Sequence, residues 1–198
     1  MNHLAHFFLA EHSDDAFVGA LLGDFVKGKI EAGTFPAQTR IEIMVHRHID
    51  AFTDSDAQVS KSKQRFIKTR RRFAGIALDV AFDHFLVKNW SNYTNENLRE
   101  FTQNIYAGLS KNLSYFPINF QTILPRMIAD DWLISYMDFE RLKFVLQRLS
   151  MRVRGGESLL EAFAEIKANY GFYNEIFKEF FPRLQAFVIE RRKEISHE

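Results

Sequence analysis

Four prolines and nine glycines in 198 residues leave this chain little with which to turn. A β fold needs frequent Gly- and Pro-marked turns, and they are too few here. Helical spacing of apolar residues dominates instead. The expected fold class is therefore all-α, a single helical-bundle domain over residues 1–198 with no repeat or linker. The 21 phenylalanines imply a core of large flat rings rather than of Val and Ile.

The punctuation places the helices. "MNHLAHFFLA" reads as a short first helix. Asp14 or Asp15 caps a second through "AFVGALLGDFVKG", ending at Gly28. Pro36 opens a third through "TRIEIMVHRHIDAF". The stretch from "DAQVSKSK" to "FLVKNW" is one long helix, or two joined near Gly75. Thr94 caps the helix through "ENLREFTQNIYAGLSKNL". Pro117 and Pro125 punctuate a shorter segment, and the closing Phe-rich segment, with Pro182 as a kink or break, packs in the core.

Several chemistries are excluded early. With no cysteine there is no disulfide, thiolate metal site or cysteine nucleophile. A formal net charge of +1 is no general attractant for nucleic acid or membrane. The start has no basic region leading into a long apolar one, and no run is long enough to span a bilayer. A soluble cytoplasmic protein is expected, with neither nucleic acid nor membrane as partner. No glycine-rich phosphate loop, G-x-S-x-G or H-E-x-x-H motif is present.

What remains is Asp and His in apolar surroundings. In "LDVAFDHFL", Asp79 and Asp83 share a helix face, with His84 about 100° round from Asp83. His84 falls with Phe66, Phe73 and Ala77 and should point inward, leaving the aspartates at the edge. In "VHRHIDAFTD", His46 and Asp50 are four apart and can chelate one cation from one helix face, or simply bond each other. Arg47 lies beside them, where it can meet a phosphate oxygen. Asp24 interrupts the apolar "LLGDFV". His6, flanked by Ala5, Phe7 and Phe8, points inward more readily than His3. Taken singly, each has a structural explanation. Together they gather in the first 84 residues, beyond which the only histidine is His197. Histidine with carboxylates and no sulfur suits Mn, Mg, Fe or Zn.

"KSKQRFIKTRRRF" carries seven cations in thirteen residues. At helical pitch Lys61, Arg65, Lys68 and Arg72 form one stripe. It is a solvated face, a track for nucleic acid, or a landing place for an acidic protein.

In order along the chain, "MNHLAH", "LLGDFVKG", "HRHIDAFTD", "LDVAFDHFLVKNW" and "DWLISY…LQRLSMR" resemble the acyl carrier protein phosphodiesterase family. The resemblance implies an all-helical relative of the HD phosphohydrolases. It implies hydrolysis of the phosphodiester that joins 4′-phosphopantetheine to a serine of holo-acyl carrier protein, with a divalent cation, usually manganese, as cofactor; Mg²⁺ and Fe²⁺ are alternatives. Carried over by motif, the functional residues are His6, Asp24, His46, Arg47, Asp50, Asp54, Asp79, Asp83 and His84. On that basis Asp24, His46, Asp83 and His84 are expected closest to the metal and His6 as a further ligand. Arg47, Asp50 and Asp79 are expected in catalysis, and the stripe of Lys61, Arg65, Lys68 and Arg72 against the acidic carrier. The chain departs from the superfamily in lacking an adjacent His-Asp pair, having Asp83-His84 reversed. It also lacks a His-Pro after "FTDSDAQV". A phosphohydrolase of small phosphorylated metabolites or nucleotides, and a non-catalytic adaptor for an acidic partner, are the alternative readings.

Overall fold

The computed structural model describes residues 1–31, 33–67, 71–151 and 157–197. Among these residues there are ten α-helices and no strand, as the scarcity of turn residues requires. They are α1 (His3–Leu9), α2 (Asp14–Leu22), α3 (Ala37–Ser55), α4 (Ala57–Lys63), α5 (Ala74–Lys88), α6 (Leu98–Lys111), α7 (Ile118–Ala129), α8 (Leu142–Ser150), α9 (Glu157–Ala168) and α10 (Tyr170–Ser196). No described helix is long and apolar enough to cross a membrane.

Helix ends differ from expectation where a nearer capping group wins. Ser13, not Asp14 or Asp15, caps α2, its Oγ accepting from the Ala16 N–H. Asn97, not Thr94, caps α6, its side chain accepting from Arg99 and Glu100. Helix α2 stops at Leu22, so Asp24 sits in the turn beyond it rather than in the helix. Pro36 does open α3. Helix α10 runs through Pro182 without ending.

The expected basic stripe is corrected. Helix α4 ends at Lys63, and Gln64, Arg65 and Phe66 close tight turns onto Lys61, Ser62 and Lys63 as Phe66 is drawn into the core. Lys61 is on the helix, Arg65 beyond it, and Arg72 in a 3-10 turn leading into α5. Lys68 lies outside the described residues. The four cations therefore share no helix face.

One apolar core runs from Met1 to Val188. Phe177, Phe180 and Phe181 of α10 are fully buried and meet Phe82, Phe85 and Phe8, so the Phe-rich segment is core. Helix α2 lies tight on α3: a Cβ on Gly19 would come within 2.4 Å of the Thr39 carbonyl oxygen. Arg192 of α10 forks onto the buried Glu42 of α3 and reaches the Leu9 carbonyl, tying the C-terminal helix to α1 and α3. Helices α1, α2, α3 and α5 thus converge, and each carries an acid or imidazole singled out from the sequence.

Candidate metal centre

His46 is buried on α3, and its Nδ1 lies 2.7 Å from the Ala20 carbonyl. A carbonyl only accepts, so Nδ1 carries the proton and Nε2 is left with its lone pair. That lone pair faces Asp50 Oδ2 at 3.3 Å and Asp24 Oδ1 at 3.7 Å. A neutral nitrogen pointing at two carboxylates is unfavourable unless a proton or a cation stands between them.

His6, from α1, stacks on the His46 ring with centroids 3.8 Å apart and planes 14° apart. It is buried, and neither of its ring nitrogens makes a hydrogen bond. Its Nε2 is 3.2 Å from Asp50 Oδ1, but off the line a hydrogen bond needs. Burial, and then the neighbouring His46, pull its pKa down to about 4, so the ring is neutral and able to ligate. One donor atom each from His6, His46 and Asp50 fall within 4.8 Å of one another. The donor set fits a divalent cation: two imidazoles and a carboxylate, one imidazole without any other buried partner.

The surrounding acids are ionised. Burial works against the charge of Asp50, but His46, His6 and the Met1 amine outweigh it and hold the carboxyl well below its ordinary range. Burial likewise opposes Asp24, yet His3, His46 and His6 bring it to about 2. His3 Nδ1 is 3.5 Å from Asp24 Oδ2. The Met1 amine lies 3.4 Å from Asp50 Oδ1 and 3.2 Å from Asp79 Oδ1, which places half-exposed Asp79 at the edge of the group.

Asp83 and His84, expected closest to the metal, are placed otherwise. Asp83 is wholly buried, not at the edge, and its two oxygens accept the Leu4 and Ala5 N–H groups at 2.8 and 3.1 Å. It caps α1, the helix that carries His6. Burial pushes its carboxyl up to about 7, while those two N–H groups pull toward the carboxylate. His84 does point inward, but away from the group. Its Nδ1 donates to the Tyr136 carbonyl at 2.7 Å and its Nε2 accepts from the Tyr170 hydroxyl at 2.8 Å. Both nitrogens are engaged, so it has none to offer an ion.

Arg47 donates to the Val26 carbonyl at 3.0 Å and thereby holds the turn that bears Asp24, rather than reaching the group. Asp54 is exposed and pairs with Lys63 at 2.9 Å. Arg65 bonds Asn169 and lies 4.4 Å from the Phe172 ring centre; Arg72 lies over Phe73.

Sequence reasoning passed over Gly23. A Cβ there would come within 2.2 Å of His46 Cγ, so only glycine lets the ring lie against the end of α2. The signal was the glycine directly before Asp24. His3, discounted beside His6, also joins through Asp24.

The group assembles from the same segments that carry the resemblance. Across residues 1–184 the chain matches the family described as acyl carrier protein phosphodiesterase. The chain belongs to the acyl carrier protein phosphodiesterase family. Relatives named acyl carrier protein phosphodiesterase agree with this assignment. The one from Pectobacterium atrosepticum is 31% identical over 93% of this chain and 95% of its own. That from Photorhabdus laumondii is 32% identical over 92% of each chain, and that from Yersinia pestis 32% over 93% and 95%. No solved structure matches the chain. In this phosphodiesterase family member the candidate metal donors are His6, His46 and Asp50, ringed by Asp24, Asp79 and His3.

Proposed function

We propose that this protein hydrolyses the phosphodiester between 4′-phosphopantetheine and a serine of holo-acyl carrier protein, using a divalent cation, manganese first, held by His6, His46 and Asp50. The observation that carries the reading is the buried His6, which has no hydrogen-bond partner and lies within ligand distance of His46 and Asp50 in a chain of this family. When bound, such an ion supplies Lewis acidity toward a phosphoryl oxygen.

The chain's own groups do the rest. Ala20 fixes the His46 tautomer so that Nε2 faces the phosphate site. Asp24, ionised and 3.7 Å from that nitrogen, takes the proton of the attacking water. As the water oxygen bonds to phosphorus, the bond from phosphorus to the serine oxygen breaks. That oxygen takes a proton from His3, which lies against Asp24. Asp79 stays at the edge, steadying charge beside Asp50. The setting is the cytoplasm, and the partner is an acidic carrier.

Intact-mass analysis of holo-acyl carrier protein incubated with Mn²⁺, and again with chelator, tests this. Loss of the phosphopantetheine mass only with the metal is expected. An unchanged carrier under Mn²⁺, Mg²⁺ and Fe²⁺ would overturn it.

A further inference from the structure

A cleft of about 380 Å³ opens between α8 and the turns that precede it, and nothing above gives it a role. Asn2 and His3 lie among its lining, with Trp132, Tyr136, Val145 and Leu149 as walls. It is continuous with the metal centre, because the same His3 is 3.5 Å from Asp24, which in turn is 3.7 Å from His46. A ligand that fills the cleft therefore has one end at the group proposed to bind phosphate.

The cleft is built rather than incidental. Asn2 donates to the Tyr136 hydroxyl, and His84 donates to the Tyr136 carbonyl at 2.7 Å, so the wall is held from both ends. This is also what the buried His84 accomplishes in place of metal binding. Arg148 lies over the Trp132 ring, 5.4 Å from its centre, and fixes the opposite wall. Phe144, a lining residue on α8, leaves 62% of its surface to solvent, an unusual exposure for a large ring.

Its chemistry selects an uncharged, elongated ligand. Apolar walls from Trp132, Val145 and Leu149 alternate with the polar points Asn2 and Ser135. An acidic peptide would need more cations, and a fatty chain fewer polar groups. A pantetheine arm has the matching sequence of groups: a dimethyl carbon and hydroxyl beside the phosphate, then two amides, then a thiol.

We propose that this cleft seats the 4′-phosphopantetheine arm of the carrier, with its phosphoryl end at Asn2 and His3 and its amides between Trp132 and α8. The proposal rests on the activity proposed above and assigns the part of the substrate that lies beyond the phosphate. Held there, the arm fixes the phosphorus at the metal centre and distinguishes the phosphopantetheine diester from other diesters.

Two measurements test it separately from the activity. Free pantetheine, added to the metal-free protein, should show saturable NMR saturation transfer that Val145→Trp removes. Val145→Trp, checked for folding by circular dichroism, should raise KM for holo-carrier about tenfold or more. If that variant fails to fold, the exposed Phe144→Ala is read instead, and its KM should rise about threefold. Wild-type cleavage of the carrier with KM unchanged in the folded variant overturns the arm site and leaves the activity standing. Saturable pantetheine transfer, lost in Val145→Trp, supports the cleft even if no carrier is cleaved. No transfer in the wild-type protein overturns it.

Discussion

The His6 and His46 rings lie face to face, 3.8 Å apart, and both turn an Nε2 toward the one carboxylate of Asp50. One ring comes from α1 and the other from α3, so the pair exists only when these helices meet. Such an arrangement of two imidazoles and an acid sets the affinity for a cation. His46→Ala and Asp50→Asn are each expected to weaken Mn²⁺ binding more than about a hundredfold in calorimetric titration of the metal-free protein. Wild-type affinity in either variant would remove that residue from the ligand set.

Gly23→Ala places a methyl where the His46 ring now lies, 2.2 Å from its Cγ. The ring must rotate, and its bond to the Ala20 carbonyl goes with it. Metal affinity and turnover should fall at least about tenfold. A variant that matches the wild-type protein in both would mean the ring has room to shift.

Asp83 is expected to matter through stability rather than as a ligand. In Asp83→Ala two buried N–H groups at the start of α1 lose their acceptor, at a cost of about 2 kcal/mol. The melting temperature should drop by roughly 4–8 °C. Metal affinity should fall less than in His46→Ala, since only the anchorage of α1 is loosened. Loss of metal as complete as in His46→Ala, with an unchanged melting temperature, would restore Asp83 to the metal.

Arg192→Ala strands the buried Glu42. Removing one partner of such a pair costs about 3–5 kcal/mol, read by urea denaturation. A loss below about 1 kcal/mol would show that Glu42 finds other partners or water.

Acid acts on the metal-free protein through His6. Its pKa falls from 6.5 in the unfolded chain to about 4 in the folded one. Between those values the unfolded chain holds a proton that the folded chain does not. Stability should therefore climb as pH rises from about 4 to 6.5 and level off above. Asp24 acts in the same sense lower down, its contribution present above 3.8 and lost as pH falls toward 2. Thermal melts in chelator across this range check the slope, which His6→Asn should flatten. Equal slopes in the two proteins would contradict the assignment.

How much of this was legible varies with distance along the chain. His46 and Asp50 could be paired in advance because one helix turn fixes their spacing, and both do join the centre. His6 could be aimed inward from its flanking apolar residues, and it is buried. Asp83 and His84 could not be assigned. Adjacent on α5, they point about 100° apart, and what each meets is set by other elements: the start of α1 for Asp83, Tyr136 and Tyr170 for His84. The stripe of Lys61, Arg65, Lys68 and Arg72 assumed a helix through Phe66. Local hydrogen bonds allow either a helix or a tight turn there, and burial of the Phe66 ring chose the turn.

By itself the sequence determined the helical class, the core-facing side of most helices, the scarcity of alternatives to a His–carboxylate metal site, and the family. Those properties follow from local spacing and residue type, which act within a few turns of chain. Only the tertiary structure decided which imidazoles keep a free nitrogen and which carboxylates face them. A buried polar group is spoken for by whatever donor or acceptor packs nearest, and in a bundle that neighbour comes from another helix.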